Sequence, residues 1–541
     1  MHSAGFSLSL GTSEFAALRG ANQIYVDKTD LIFNIASQRR KFLLIRPRRF
    51  GKSLLVSTFA SLFKNGVEHF SGLTIEKLWQ DRKYDVVRLD FSGLKEFVSK
   101  DHFEFNLRSE LINAFSPLGF HFDKENADVS FFVQLRTWLN SLPQSSLVLL
   151  IDEYDTPLTA HLGSPEKFKA VRAELEKFYA VLKNADGCLR FFFMTGITKF
   201  SNRSSFSEFN NFNDISLNSK YSAILGLTED EIVRYFDLHL IRAQEVLHLS
   251  REELLQELKE NYDGFCFDRN AQTHVYCPWS VLSFLQNPEE GFLNYWYESG
   301  GRPAVLKGYL ASHRIENPFE FDEDKQIRLT DLQAARGYET IGLDALLTQA
   351  GYLTIKTVRS NGTAAIGYPN REVELSIAQL YADELLQGKF IDPMGAPMLS
   401  DLLGTGTLES IVRRFNDGIN QIDYHNFPIE SEAACRACIQ LFLMGSALIP
   451  EVEKHTALGR SDLEVAVGSR RWVFEFKFAH SSDEVENLLK EGEEQMRSRR
   501  YGEGREGIDS RALHCAVLVF NGAARRFEAY REVGNNFQDN H

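Results

Sequence analysis

A phosphate-binding loop between a short apolar strand and a helix restricts the N-terminal half of this chain to very few folds. The apolar run 41–45 leads into Arg-Pro-Arg-Arg-Phe-Gly-Lys-Ser at positions 46–53, and a helical pattern follows to about residue 63. Such a loop curls N–H groups around phosphates, places a lysine on the β and γ oxygens and offers a hydroxyl to Mg²⁺. Gly51 permits the close approach, and Lys52 and Ser53 supply the side chains. Arg46 stands where the full pattern has glycine, so the loop needs support from its surroundings.

An apolar strand that ends in two acids gives this support. The run 147–152 has the pattern of a buried parallel strand, and it ends at Asp152 and Glu153. Asp152 is expected on the Mg²⁺ side, and Glu153 stands where many ATPases carry the base that polarises water. Alternatively, the two acids only cap a strand end. The predicted site for ATP and Mg²⁺ uses Ser53 and Asp152 as metal ligands, and its nucleotide-binding residues are Arg48, Arg49, Phe50, Gly51, Lys52, Ser53, Leu54 and Asp152.

The next apolar strand, 189–196, carries candidates for sensing the γ-phosphate. Thr195 and Thr198 lie at its end, and Lys199 and Arg203 are the nearest cations. Ordinary turn chemistry is the alternative interpretation of the threonines. No clear arginine finger is visible in the sequence. The cation that completes the site could therefore come from the same chain or from another copy in a homo-oligomer.

The spacing of the elements predicts several domains in the 541 residues. Alternating strands and helices indicate a P-loop NTPase of the α/β class with a parallel sheet over 1–225. Helical periodicity, opened by a capping box at Thr228–Glu231, indicates a helical satellite over 226–335. A connecting α/β segment and linker over 336–400 precede a second α/β domain over 401–541.

Many separate blocks in the first 300 residues resemble the AAA-ATPase-like family of large bacterial proteins. That family also shows arginine at the first position of the loop. The resemblance implies nucleotide binding and does not by itself establish turnover. The blocks are Tyr25–Asp30, Arg46–Leu54, Leu149–Asp155, Met194–Thr198, Gly226–Ile232, Tyr262–Phe265, Val275–Trp279, Asn294–Ser299 and, further on, Tyr368–Val373.

A second group of carboxylates lies in the C-terminal domain, on a predicted hairpin of strands 462–468 and 471–478. Residues i and i+2 of a strand share a face, so Glu475 and Lys477 point the same way. Asp462 opens the preceding strand. Asp462 and Glu475 are oxygen ligands suited to Mg²⁺, and Lys477 is placed to orient water and offset phosphate charge. A hairpin with a surface Glu–Lys pair is the alternative.

This pattern resembles the PD-(D/E)XK nuclease fold, also called restriction-endonuclease-like, over about 405–520. In the same family such a domain is commonly fused to the ATPase. The resemblance implies catalytic roles for Asp462, Glu475 and Lys477, and adds Glu432 to the metal site. Gln495 and Tyr501 match a Gln-then-Tyr feature of related nucleases. Ser461 stands where the pattern has proline.

The composition limits which binding partners and which cellular compartment we expect. A net charge of −14 argues against general binding of nucleic acid and leaves a local basic surface open. The cluster Arg497, Arg499, Arg500 and Arg505 suits phosphate contacts or a solvated helix end. Six cysteines make no disulfide framework, and the Cys435–Cys438 pair lies in an apolar helical pattern. No apolar run spans a bilayer and no signal peptide is visible, so we expect a cytoplasmic protein without a membrane partner.

Three functional hypotheses follow. The first is an ATP-dependent or ATP-regulated nuclease that cuts DNA with Mg²⁺, with defence against foreign DNA as a role suggested by the domain combination. The second is a nucleotide-switched binding or signalling protein with a silent nuclease fold. The third is a pure ATPase motor whose turnover survives loss of residues 400–541.

Overall fold

The structure is a computed structural model that describes residues 7–125, 129–162, 164–199, 212–296, 325–333, 342–385, 398–422, 428–446, 448, 450–452, 462–499 and 511–533. Residues 381–385 and 451–452 are described by their backbone alone. The chain forms two compact units, Met1–Glu374 and Leu375–His541. None of the described helices combines the length and the apolar character that crossing a bilayer requires.

A parallel sheet forms the centre of the first unit. Its strands are β1 (Lys41–Ile45), β2 (Asp85–Asp90), β3 (Leu147–Asp152), β4 (Leu189–Gly196) and β5 (Phe212–Asp214), in the order β2-β3-β4-β1-β5. All four pairings are parallel. Every residue of β3 is buried, because helices cover both faces of such a sheet. The α/β class predicted from the sequence is confirmed.

Among the described residues, two helices precede this sheet in the chain, and five lie between its strands. They are α1 (Phe15–Gly20), α2 (Thr29–Ala36), α3 (Lys52–Asn65), α4 (Lys100–Phe115), α5 (Phe131–Ser141), α6 (Thr156–Thr159) and α7 (Pro165–Asn184). Apolar residues from α4, α5 and α7 pack in one cluster with β2 and β3, and the members include Leu107, Leu111, Leu135, Leu139, Val171, Leu175 and Phe178. Because such residues recur at helical spacing, the sequence predicts helices over 102–116, 130–142 and 165–184, within about two residues of the observed α4, α5 and α7.

The satellite consists of α8 (Glu229–Tyr235), α9 (Asp237–Leu247), α10 (Arg251–Tyr262) and α11 (Pro278–Gln286), with the short strands β6 (Phe265–Cys266) and β7 (His274–Val275). The predicted capping box is present: Thr228 caps α8, and Glu231 reaches back to the backbone of Thr228. Ser250 and Glu253 form a second one on α10. The helices share a core that includes Leu240, Leu254, Leu258 and Phe284.

An antiparallel sheet follows, with β8 (Lys325–Arg328), β9 (Thr354–Val358) and β10 (Thr363–Gly367) in the order β8-β10-β9, and with α12 (Leu329–Gln333) and α13 (Leu343–Ala350) beside it. The sequence predicts a helix over 376–387, and α14 (Arg371–Leu385) starts earlier because the Asn370 side chain accepts from the N–H of Val373. The division between the two units falls inside α14, at Glu374.

The second unit is built on a mixed sheet in the order β11-β12-β13-β14-β15. Its strands are β11 (Glu451–Val452), β12 (Leu463–Val467), β13 (Arg470–Ala479), β14 (Ala512–Asn521) and β15 (Arg526–Val533). Among these five strands, only the β13–β14 pair is parallel, and its crossover contains α18 (Ser482–Ser498), where the sequence predicts a charged helix over 482–500. The other helices are α15 (Leu399–Thr405), α16 (Leu408–Ile419) and α17 (Glu432–Gly445). Helix α15 buries Leu399 and Leu403, so it starts at the end of the predicted linker.

Candidate nucleotide and nuclease sites

The phosphate loop owes its shape to two residues with left-handed backbone. Gly51 has φ +88° and Arg49 has φ +67°, and α3 begins immediately afterwards at Lys52. Gly51 adopts this conformation without the steric cost that a side chain brings. The buried Lys52 ammonium donates to the Pro47 carbonyl of its own loop at 2.8 Å. Burial lowers the pKa of Lys52, and the carboxylates of Asp152 and Glu153 oppose this shift.

The acidic side of the site lies at the carboxyl end of β3. Asp152 is 5% exposed and hydrogen-bonds Ser53, so the two predicted Mg²⁺ ligands meet. Burial raises the pKa of Asp152, against the hydrogen bond from Ser53. Glu153 has φ +49°, and its Oε2 accepts from the Thr156 hydroxyl at 2.9 Å. Asp152 therefore faces the loop, whereas Glu153 is bonded within its own turn and lines the cavity beside the loop.

Arg46 lies behind the loop and away from the phosphate side. Its guanidinium donates to the carbonyls of Ile45, Ser216 and Tyr221 at 2.7 to 3.1 Å. It also lies 4.2 Å from the ring centroid of Phe267. Complete burial lowers the pKa of Arg46 to about 9. The residue that replaces the first glycine therefore anchors the start of the loop to the segment after β5.

Aromatic residues of the satellite support the loop from its other side. The Phe50 ring packs at 4.9 Å from Phe265, and the Arg49 guanidinium lies 4.2 Å from the ring centroid of Trp279. The indole of Trp296 donates to the Arg48 carbonyl at 3.4 Å. Three of the sequence blocks that resembled a family thus converge on the phosphate loop.

The block 368–373 completes this support. The Glu372 carboxylate accepts from the Trp296 N–H at 2.8 Å and from the Ser280 hydroxyl at 2.7 Å. The Asn370 amide donates to the Asp263 carbonyl at 2.6 Å. Because Trp296 contacts the loop directly, residues far downstream in the chain belong to the nucleotide unit.

A cavity of about 600 Å³ opens beside the loop, within the range of small-molecule sites. Gly51, Lys52, Ser53 and Glu153 line one end. Apolar residues from the N-terminal segment and the satellite also line it, among them Ile24, Val26, Leu225, Leu227, Phe236, Trp279 and Leu282. The cavity thus offers polar groups for phosphates and an apolar surface for a base.

Two of the nuclease candidates, Glu475 and Lys477, lie on β13 and are buried rather than at the surface. Glu475 is 1% exposed and Lys477 is 5% exposed. The Lys477 ammonium lies 3.3 Å from Glu475 Oε1 and 3.7 Å from Glu432 Oε1, and it donates to Gln495 Oε1 at 2.9 Å. The Gln495 amide donates in turn to Glu475. Burial opposes the charge of Lys477, but Glu475 and Glu432 outweigh it and raise the pKa.

The second carboxylate oxygen of Glu475 is the unusual atom of this cluster. It is buried and has no hydrogen-bond partner among the described residues. Burial and the nearby Asp462 charge raise the pKa of Glu475 to about 7. Asp462 Oδ2 accepts from the N–H of Phe476 at 2.9 Å. A buried, unpartnered oxygen next to another carboxylate fits a divalent cation, which would supply the missing partner.

Glu432, the expected third metal ligand, does not lie with Asp462 and Glu475. Glu432 is half exposed and lies against the Lys477 ammonium. Within the described ranges, no group of three or more His, Cys, Asp or Glu residues is placed to hold a metal. A cation here would rest on Asp462 and Glu475 together with water and phosphate oxygens, as Mg²⁺ commonly does.

Known protein families match both the nucleotide unit and the nuclease unit of this chain. Residues 9–206 match the family model described as predicted AAA-ATPase, and residues 430–529 match the PD-(D/E)XK nuclease superfamily. The uncharacterized protein in the vnfD 5′ region of Azotobacter chroococcum mcd 1 is 32% identical over 485 residues, which cover 87% of this chain and 89% of that protein. The chain belongs to the AAA-ATPase-like family.

Two solved structures resemble this AAA-ATPase-like protein more distantly. The Walker-type ATPase PABY2304 of Pyrococcus abyssi is 15% identical, with a TM-score of 0.33, over 64% of this chain and 94% of its own. The ORC2 protein of Aeropyrum pernix, in ADPNP–ADP complexes, is 12% identical, with a TM-score of 0.24, over 70% of this chain and 97% of its own.

The predicted γ-phosphate sensors of the AAA-ATPase-like unit have structural partners instead. Thr195 donates to the Leu44 carbonyl at 2.7 Å, inside the sheet. Thr198 donates to Asp155 Oδ2 at 2.7 Å. Lys199 forms an ion pair with Asp214. The turn-chemistry alternative therefore describes these residues better, and Arg203 lies outside the described residues.

Sequence reasoning found the loop and the acids of the AAA-ATPase-like protein but missed what surrounds them. Trp296 and Glu372 were noted only as parts of blocks, and the apolar lining of the cavity was not predicted. The repeated aromatic residues in those blocks were the available signal. In the nuclease unit Gln495 is brought to Glu475 and Lys477, whereas Tyr501, Arg500 and Arg505 lie outside the described residues.

Proposed function

We propose that this protein is a metal-dependent nuclease that cuts DNA phosphodiesters and is driven or regulated by ATP. The observation that carries the proposal is the buried Glu475 oxygen without a partner, beside Asp462 and Lys477. Burying such an oxygen costs folding free energy unless it binds a cation or a proton. The AAA-ATPase-like and nuclease-superfamily matches support the same pairing of activities.

In the nuclease unit, Asp462 and Glu475 would hold Mg²⁺. A bound Mg²⁺ supplies Lewis-acid polarisation of the phosphate and a more acidic water. The Lys477 ammonium is kept charged by Glu475 and Glu432, so it offsets phosphate charge and orients the attacking water. Gln495 holds the side chains of Glu475 and Lys477 in place.

In the nucleotide unit, the loop residues Arg48, Arg49, Phe50, Gly51 and Leu54 present backbone N–H groups to the phosphates of ATP. The Lys52 ammonium would exchange its bond to the Pro47 carbonyl for the phosphate oxygens. Ser53 and Asp152 would hold the Mg²⁺ of the nucleotide, and Glu153 would orient the attacking water. A cytoplasmic role in defence against foreign DNA is the broader form of the proposal.

Mg²⁺-dependent cleavage of supercoiled plasmid tests the nuclease directly. We expect Lys477→Ala to lower the cleavage rate by roughly 10²-fold or more, since it removes a charge at the reacting phosphate. Lys490→Ala is the matched control, because Lys490 is exposed on α18 and forms an ion pair with the exposed Glu486 at 3.9 Å. Equal cleavage by the wild type and Lys477→Ala would sink the proposal.

The second candidate is a nucleotide-switched binding protein with a silent nuclease fold. It is favoured by the engagement of the Lys477 ammonium with Glu475, Glu432 and Gln495, as in a structural ion pair. Calorimetry with Mg²⁺ or Mn²⁺ separates the two candidates. Metal binding that disappears in Glu475→Ala supports the nuclease, and the absence of binding by the wild type supports the silent fold.

A further inference from the structure

The cavity beside the phosphate loop is also lined by a lysine, Lys95, that has no role in the nucleotide site as proposed above. Lys95 is the last residue of a 3₁₀ turn, Phe91–Lys95, and it borders the same cavity as Ser53, Glu153 and Thr156. We propose that Lys95 is a catalytic residue that stabilises the transferred phosphoryl group of ATP, the task that an arginine finger performs in other NTPases. The inference rests on the ATP hydrolysis proposed above.

The sheet topology brings Lys95 to the reacting end of the site. Strand β2 lies beside β3, and the register pairs Asp90 with Asp152. Because the two strands are parallel, the turn that follows β2 begins next to the turn that contains Glu153. The turn that carries Lys95 contacts α6, which starts at Thr156, and Ser92 and Lys95 of this turn line the cavity together with Glu153.

The turn is fixed, whereas its last side chain is exposed. Phe91 and Leu94 are buried and anchor the turn in the core of the first unit. The imidazole of His161 hydrogen-bonds the backbone of Lys95. The Lys95 side chain itself is exposed, and its flexible four-carbon stem lets the ammonium reach into the cavity.

The nearby cations have other partners. Arg46 is bonded behind the loop, Arg49 lies against Trp279, and Lys199 is paired with Asp214. Among the described residues, no carboxylate forms an ion pair with Lys95. An ammonium without a carboxylate partner loses no ion pair when it binds phosphate oxygens.

The chemical role follows from the charge that develops during hydrolysis. The oxygen of water bonds to the γ-phosphorus as the bond from phosphorus to the bridging oxygen breaks, and the electron pair leaves with ADP. The proton of the water passes to the Glu153 carboxylate. Negative charge spreads over the phosphoryl oxygens in between, and the Lys95 ammonium would donate to them without giving up a proton.

The test is steady-state Mg²⁺-ATP hydrolysis by the full chain, together with equilibrium binding of a fluorescent ATP analogue. Lys95→Ala is expected to lower kcat by roughly 10²-fold or more while the Kd changes by less than about threefold, since the contact strengthens in the transition state. Lys95→Arg should restore most of the turnover. Lys77→Ala is the matched control, because Lys77 is also exposed at the end of a 3₁₀ turn but does not line the cavity.

The outcomes separate this inference from the proposal on which it rests. Wild-type kcat in Lys95→Ala overturns the inference alone and places the cation elsewhere, for example on a second copy of the chain. An equal loss of kcat/KM and of affinity, with kcat unchanged, also overturns it, because Lys95 then only binds substrate. Absence of turnover in the wild type overturns the ATPase proposal and this inference together.

Discussion

At the scale of single residues, Arg46 stabilises the phosphate loop from behind. It donates to three backbone carbonyls from a fully buried position. A glycine at this position would leave those carbonyls without this donor and would leave space next to Phe267. The arginine is therefore part of the packing that holds the loop, although its position in the motif suggests a role at the phosphates.

Replacing Arg46 tests this interpretation. Arg46→Ala removes the donor for three carbonyls, and we expect the free energy of unfolding of the first unit to fall by roughly 3 kcal/mol or more. Denaturant unfolding followed by tryptophan fluorescence measures the change. Arg48→Ala is the control, because its predicted contribution to the loop is a backbone one. A loss of nucleotide affinity in Arg46→Ala without any loss of stability would contradict the anchoring role.

Ionisation of the Glu475 side chain should make the stability of the protein depend on pH. Its pKa of about 7 in the folded state lies above the ordinary 4.5, so the folded protein holds this proton more tightly than the unfolded chain does. In metal-free buffer, the free energy of unfolding should therefore fall as pH rises from about 4.5 to about 7. The loss is on the order of 3 kcal/mol, and it is complete above the folded pKa.

Denaturant unfolding in EDTA across pH 4.5–8 measures this loss, with Glu475→Gln as the comparison. The glutamine cannot ionise, so the stability of the variant relative to the wild type should increase with pH across this window. Parallel stability curves for the two proteins would show that the raised pKa does not occur.

At the scale of elements, the first turn of α14 supports the phosphate loop through Trp296. Glu372 accepts from the Trp296 N–H and the Ser280 hydroxyl, and the Trp296 indole donates to the Arg48 carbonyl. Helix α14, which follows the antiparallel sheet, thus helps to support the phosphate loop after β1.

Glu372→Ala tests this contact between elements. The change leaves two donors near Trp296 without this acceptor, and we expect the Kd for ATP to rise by roughly tenfold. Arg371→Ala is the control in the same turn, because Arg371 is half-buried and pairs with Glu257 and Glu260 of α10. Equal ATP affinity in the two variants, measured by fluorescence titration, would show that α14 does not support the loop.

Elements were predictable where their side chains repeat with a clear period. The strand Leu147–Asp152 and the helices over Pro165–Asn184 and Ser482–Ser498 were predicted with nearly the observed bounds. The short strands β5 and β11 were not, because two or three residues carry no readable alternation. Strand β15 was also missed, since its exposed charged residues do not resemble a buried strand.

At the scale of the whole molecule, the two units carry separate sites on one chain. Helix α14 runs along the chain from the nucleotide unit into the second unit, with the division at Glu374. Loss of one site should therefore abolish one activity and reveal how far the other depends on it.

Two variants measure this dependence in plasmid cleavage with and without ATP. Lys52→Ala should abolish the effect of ATP on cleavage and leave the ATP-independent rate unchanged, because the ammonium lies in the phosphate loop of the first unit and would bind the nucleotide phosphates there. Glu475→Ala should abolish cleavage and leave ATP binding within about twofold, because Glu475 lies in the other unit. A normal ATP response in Lys52→Ala would contradict regulation through this loop.

Local patterns were enough to predict the α/β class, the phosphate loop with its acids, and the Asp462, Glu475 and Lys477 group, because each depends on spacing within one or two neighbouring elements. The tertiary structure decided which of these groups are buried and what they contact. Glu475 and Lys477 share a face by strand alternation alone, yet their burial results from helices α17 and α18, which both pack on β13. The placement of Glu372 behind Trp296 likewise depends on contacts between distant parts of the chain. Burial and long-range contact are properties of packing, which no local period encodes.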